Sequence, residues 1–246
     1  MDGNYTPYDY LASFARIDEH LDCSAGDFTE SAFLPDRQRL TFDNGFYAYC
    51  TALFVDIRDS SDLPNHYQRP RLARIYRAFV SEVVAILNGH ISVREVNIVG
   101  DCVWAVYNTR TTDAIDDVFN LAAKVNLLEN VLNRKLAENG YGTPLYLGVG
   151  LSYGMALMIK AGKRGSTIND VVYMGDVVNQ AAHLAARGGK VIGWRRSPRI
   201  HMDLVFQQNL NELNRNLTTQ VETYPREVYA SDAVDTAMSQ WLEAQS

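Results

Sequence analysis

Two Asn-Gly pairs, Asn88-Gly89 and Asn139-Gly140, punctuate the middle of the chain, and each closes a stretch of helical periodicity. The first stretch opens at Pro70 and carries Leu72, Ile75, Phe79, Val83 and Ile86 on one face. Proline suits a first helical turn, and Asn-Gly suits the left-handed residue that ends a helix. The second stretch carries Ile115, Val118, Phe119, Ala122, Val125, Leu128, Leu132 and Leu136, with Asp113 as its predicted cap. Ahead of the first helix, Phe46 to Ile57 is apolar and aromatic and reads as a buried strand. Between the helices, Ile91 to Val99 alternates, Gly100-Asp101 turns, and Cys102 to Tyr107 returns as a hairpin. Leu145 to Met158 follows the second helix as a long strand. The order β-α-β-β-α-β defines an α/β (α+β) chain with a ferredoxin-like core.

The flanks are less regular. Residues 1–45 read as an extension with one short amphipathic helix, marked by Leu11, Phe14, Ile17 and Leu21. Residues 46–246 read as one catalytic domain, which the length of 246 residues accommodates. Beyond the core come a basic loop at Lys160 to Arg164, a strand at Val171 to Met174 and a helix from Gly175 to Arg187. A strand at Lys190 to Trp194, a helical stretch from Pro198 to Leu217 and a last strand at Val221 to Ala230 complete the reading.

Composition removes whole classes of function. Lysine and arginine total 23 against 29 acidic residues, a net charge of −6, which disfavours nucleic acid or a membrane surface as partner. Cys23, Cys50 and Cys102 are far apart, so neither a disulfide framework nor a zinc ribbon is expected, and a cytoplasmic location is. Met1 to Tyr10 lacks the pattern of a signal peptide, and no apolar run is long enough for a membrane span.

Asp56 ends an apolar strand and Asp101 sits in the hairpin turn. Taken singly, each is explained by capping or turn geometry. In this topology, however, the strand and the hairpin lie side by side, so both carboxylates reach one sheet edge. Paired carboxylates there suit two Mg²⁺ or Mn²⁺ ions and a phosphate-bearing substrate. The polar turn Ile57-Arg58-Asp59-Ser60-Ser61 offers N–H groups and hydroxyls to phosphates. Further on, Asn179, His183 and Arg187 recur every four residues as one polar stripe.

Three segments carry a resemblance. Phe54-Val-Asp-Ile-Arg-Asp-Ser-Ser61, Val99-Gly-Asp-Cys-Val-Trp-Ala-Val106 and Tyr173-Met-Gly-Asp-Val-Val-Asn-Gln-Ala-Ala-His183 resemble, in order, the signature segments of class III nucleotidyl cyclases. The resemblance spans about residues 46–194. It implies a homodimer with active sites at the interface. It also implies metal ligation by Asp56, the Ile57 carbonyl and Asp101, and ribose orientation by Asn179 of the partner subunit. The implied reaction turns a nucleoside triphosphate into a 3′,5′-cyclic monophosphate and pyrophosphate, one ion activating the 3′-hydroxyl and the other holding the triphosphate.

The departures concern the base and the charge. Adenylate cyclases usually carry lysine, and guanylate cyclases glutamate, where this chain has Asn97; the second base position is Val172. A carboxamide matches uracil O4 and N3–H and, flipped, cytosine N4–H₂ and N3. The pattern is similar to the bacterial Pycsar pyrimidine cyclases of antiphage defence, with the uridylate branch favoured. Cytidylate or adenylate cyclization and a catalytically degenerate domain stand as alternatives, and so does another nucleotidyl transferase on a palm-like core. His183 replaces the usual transition-state arginine, so Arg187 or the Lys160–Arg164 loop is expected to supply that charge. Asp59 replaces a usual glycine and is expected to face outward or pair with Arg58.

Overall fold

The structure is a computed structural model that describes all residues except 1, 4, 23–26, 224 and 245–246, so Cys23 lies outside the described residues. The chain runs through α1 (Tyr10–Leu21), β1 (Phe28–Glu30), β2 (Gly45–Ile57), α2 (Leu63–His66), α3 (Arg69–Leu87), β3 (Val93–Val99), β4 (Cys102–Tyr107), α4 (Thr112–Glu138) and β5 (Leu147–Gly162). It continues as β6 (Asn169–Met174), α5 (Asp176–Ala185), β7 (Val191–Ile192), β8 (Arg195–Arg196), β9 (Ile200–Asp203), α6 (Leu204–Gln208), α7 (Glu212–Arg215), β10 (Thr219–Glu222), β11 (Val228–Ser231) and α8 (Thr236–Ala244).

The main sheet has the order β10-β11-β9-β5-β2-β4-β3, with β1 added to β2 and β6 to β5. β2 is an interior strand, antiparallel to β4 on one side and to β5 on the other. Each face of β2 has its own core, which is why its sequence is a continuous apolar run. Leu53, Val55 and Ile57 pack with Ile75, Phe79 and Val83 of α3 and Val118, Phe119 and Val125 of α4. Ala52 and Phe54 pack with Val106, Met158, Tyr173 and, from α5, Val177, Ala181 and Ala185. Glycine lets α5 lie this close. A Cβ at Gly150 would sit 2.0 Å from the Ala181 carbonyl oxygen, and one at Gly148 would sit 2.2 Å from that of Ala185.

Several boundaries differ from the sequence reading. Thr111, not Asp113, caps α4: its hydroxyl accepts from the Ala114 N–H at 3.3 Å. Asp113 instead sits in the first turn, where the helix dipole favours an anion. β5 runs on to Gly162, so Lys160 belongs to a strand and the basic stretch is the end of the β5–β6 hairpin. Pro198 to Leu217 is not one helix: Ile200–Asp203 forms β9, parallel to β5, followed by two short helices. Val221 to Ala230 spans part of a hairpin, β10–β11, rather than one strand. Inside the first 45 residues, β1 pairs with β2 and Leu34 and Leu40 are buried in the α5-side core. Among the described residues, no helix is long and apolar enough to cross a membrane.

His201 of β9 is buried opposite Gly150, with Arg187, Glu222 and Asp232 as its charged neighbours. Burial, helped by Arg187, lowers its pKa from 6.5 to about 4. The unfolded chain therefore takes up the proton first as pH falls. Stability from this group is complete above pH 6.5 and is lost between 6.5 and about 4, a change of about 3 kcal/mol at 1.36 kcal/mol per unit. Urea unfolding across this range is expected to show a shallower acid loss for His201→Gln than for the wild type. Parallel curves would contradict the assignment.

Candidate active site

The site begins at the end of β2. Asp56 stands opposite Cys102 of β4 and Gly148 of β5. The β3–β4 turn has two residues, Gly100-Asp101, and Gly100 takes φ 62°, the left-handed conformation required at the first position of a type II′ turn. The turn lays Asp101 beside β2, where the Ile57 N–H donates to its carbonyl oxygen at 3.4 Å. The Asp101 carboxylate accepts from the Ser60 hydroxyl. The Asp56 carboxylate accepts from the Arg58 guanidinium, whose other arm donates to the Ala186 carbonyl at 2.8 Å.

Arg58 therefore pairs with Asp56 and not with Asp59. Asp59 and Ser61 are exposed. Asp59 takes φ 52°, and its being aspartate rather than glycine is tolerable because its short side chain permits that conformation. Burial lowers the pKa of Arg58, opposed by the charges of Asp59 and Asp101. Burial and Asp101 together push the Cys102 thiol up to about 11, which keeps it protonated beside the carboxylates.

The same sheet face carries Asn97, the residue expected to meet the base. Asn97 stands opposite Trp104, and its side-chain nitrogen is buried with no hydrogen-bond partner. Trp104 stacks on Phe54 at 5.0 Å and meets the Tyr173 ring edge-on at 6.0 Å. The Tyr173 hydroxyl donates to Glu95 at 2.8 Å. Burial first, and Glu95 second, raise the Tyr173 pKa far above the ordinary phenol range and keep it neutral. Val172 is not brought to Asn97. Strand alternation turns it to the opposite face, where it is 40% exposed, so it is neither core nor next to the carboxamide. Tyr173 is the residue that the sequence reading missed there; the signal was an aromatic between two aliphatic neighbours on a short strand.

The polar stripe of α5 faces solvent. Asn179 and His183 are exposed and make no side-chain hydrogen bond or ion pair among the described residues. Arg187 lies beyond the end of α5 and pairs with Glu222. Arg226, from the β10–β11 connection, donates to Gln180 at 3.2 Å and lies 3.5 Å from Asp176. His183, Arg187, Glu222 and Arg226 border a cleft of about 300 Å³, and sequence reasoning missed Arg226 because only the fold brings it to α5. Among the described residues, no hydrogen bond or ion pair joins Asn179, His183 or Arg187 to Asp56 or Asp101. The Lys160–Arg164 segment is also remote within its own chain. Lys160 lies over the Phe42 ring at 5.1 Å, Arg164 pairs with Asp43 and Glu19, and twelve residues of strand, roughly 40 Å, separate Lys160 from Gly148 beside Asp56.

Among the described residues there is no cluster of three or more His, Cys, Asp or Glu side chains that could hold a metal. What β2 and the β3–β4 turn present is an all-oxygen set: two carboxylates and the Ile57 carbonyl.

These features define a class III nucleotidyl cyclase fold. The crystal structure of the adenylyl cyclase CyaB from P. aeruginosa superimposes with a TM-score of 0.64 at 17% identity, covering 78% of this chain and 97% of that one. The chain is 33% identical over 238 residues to a uridylate cyclase of Treponema porcinum, covering 96% of this chain and 81% of the relative. It is 41% identical over 190 residues to a uridylate cyclase of Gulbenkiania mobilis, covering 75% and 73% of the two chains. No family model matches it. The chain belongs to the uridylate cyclase family and is a nucleotidyl cyclase.

Proposed function

We propose that this enzyme converts UTP to 3′,5′-cyclic UMP and pyrophosphate, as a homodimer with two Mg²⁺ or Mn²⁺ ions per site. The observation that carries the base assignment is the buried, unpartnered carboxamide nitrogen of Asn97. An unsatisfied buried donor is costly unless a ligand satisfies it. A carboxamide offers one donor and one acceptor, the complement of a pyrimidine edge, and the names of the relatives favour uracil over cytosine.

The residues at the end of β2 fit hard cations. All the donors are oxygen, and the guanidinium of Arg58 already stands as a cation against Asp56. Asp56, Asp101 and the Ile57 carbonyl would hold the ions, which when bound would neutralise the triphosphate and activate the ribose 3′-hydroxyl. Asn97 would hold the base. Ser60, Ser61 and the neighbouring backbone would line the phosphates. Asn179, His183 and Arg187 would come from the partner subunit, which accounts for a polar stripe that, among the described residues, makes no hydrogen bond or ion pair with Asp56 or Asp101 in its own chain. Arg187 is held by Glu222, so Arg226 joins it as a second cation of that cleft. The product would serve as a second messenger in bacterial antiphage defence, made in the cytoplasm by residues 46–246 with 1–45 as an extension.

The reading is tested by incubating each nucleoside triphosphate separately with the enzyme and Mn²⁺ and separating the products. Cyclic UMP from UTP is expected. No product from any of the four would favour a degenerate nucleotide-binding domain.

A further inference from the structure

Arg58 occupies a place that phosphate binding does not explain. Its side chain is 10% exposed, and the Asp56 side chain it pairs with is 27% exposed. One arm of the guanidinium meets the Asp56 carboxylate, and the other meets the Ala186 carbonyl, which caps the C-terminal end of α5. The Arg58 Nε is buried without a partner, and a Cβ at Gly148 would stand 3.2 Å from it. The backbone on either side is fixed: the Arg58 N–H donates to the Tyr146 carbonyl at 2.7 Å. The guanidinium is thus enclosed between β2, β5 and the end of α5 and is turned away from solvent.

We infer that Arg58 is an internal counter-ion for Asp56: it holds the carboxylate in place when no metal is present and must give it up when a cation binds. This rests on the metal assignment made above for Asp56. Two effects act in the same direction. A charge-assisted hydrogen bond has to be broken before the carboxylate faces a metal ion, and a nearby positive charge repels that ion in a poorly screened place. The hydrogen bond to Ala186 does not depend on Asp56, so the displaced guanidinium stays tethered to the end of α5. Arg58 is in this sense a positioning residue that links the carboxylate to the helix bearing Asn179 and His183.

The test is a Mn²⁺ titration without nucleotide, followed by electron paramagnetic resonance, on the full chain. Arg58→Gln is expected to bind Mn²⁺ about tenfold more tightly than the wild type, as loss of a competing charged hydrogen bond requires. A residue needed only for structure would give weaker binding on removal. Unchanged or weaker binding by folded Arg58→Gln would overturn the inference. If that variant does not fold, Arg58→Met, which keeps bulk and removes the charge, serves instead, with tighter binding again expected and unchanged binding overturning it. Asp56→Ala separates the counter-ion role of Arg58 from the metal assignment of Asp56. Weaker Mn²⁺ binding in Asp56→Ala together with unchanged binding in the Arg58 variant removes only the counter-ion role. Unchanged binding in Asp56→Ala removes the metal assignment itself.

Discussion

Asp56→Ala and Asn179→Ala, each prepared alone, are expected to lose UTP cyclization by about three orders of magnitude, the scale of removing a group that stabilises transition-state charge. Mixed in equal amounts, they are expected to recover about a quarter of wild-type activity. The figure follows from two-fold symmetry. Random exchange makes half the dimers mixed, and each mixed dimer has one site that combines an intact Asp56 with an intact Asn179. The structure motivates the test because Asn179 and His183 are exposed and, among the described residues, no hydrogen bond or ion pair joins them to Asp56 or Asp101. Activity of the mixture no higher than that of either variant, in a sample shown by light scattering to be dimeric and exchanging, would contradict a site shared between subunits.

Glu129→Gln is expected to have the largest effect on stability. Glu129 of α4 is 1% exposed, and both of its oxygens are engaged. Arg196 donates to them at 2.6 and 2.8 Å, Arg199 lies at 2.8 Å, and the Leu147 N–H donates at 2.7 Å. Removing one member of a buried charged group leaves the others uncompensated, at a cost of about 3–5 kcal/mol. In a chain of this size that lowers Tm by roughly 10 °C. Glu138, at the exposed end of the same helix, also meets Arg134 and Lys135. Glu138→Gln is expected to leave the urea midpoint unchanged, because exposed pairs are screened by water. Equal effects from the two substitutions would show that burial does not decide the outcome. The Glu129 group also bears on function, since Leu147 starts β5 and stands opposite Ile57, next to the Asp56–Gly148 pair.

Much of this was legible in the residues because the cues were local. Pro70 and the two Asn-Gly pairs mark helix ends, although only Gly140 takes the expected positive φ and Gly89 does not, and Gly100-Asp101 marks a hairpin turn. With those elements in place, topology alone brings Asp56 and Asp101 to one edge. The unread parts depend on tertiary context. Ile200–Asp203 is short and buried on both faces, so it shows no alternation, while Phe206, Leu210 and Leu213 nearby repeat at helical spacing. Whether Val172 or Tyr173 lies on the Trp104 face of the sheet depends on the pairing of β6 with β5, since a register shift of one residue exchanges the two faces. Arg187 follows the spacing of α5, but the helix stops at Ala185 and Glu222 holds the side chain. The bond from Arg58 to Ala186 joins residues 128 positions apart, beyond the reach of any local pattern.

With Asn97 in place of the usual lysine or glutamate, an otherwise class III cyclase site is proposed to read uracil. The most direct measurement supplies equimolar ATP, GTP, CTP and UTP together with Mn²⁺ and identifies the cyclic product by mass spectrometry. Cyclic UMP is expected as the dominant product, with its formation lost in Asp56→Ala. Dominant cyclic AMP or cyclic GMP would contradict the reading of Asn97, and dominant cyclic CMP would contradict the choice of uracil.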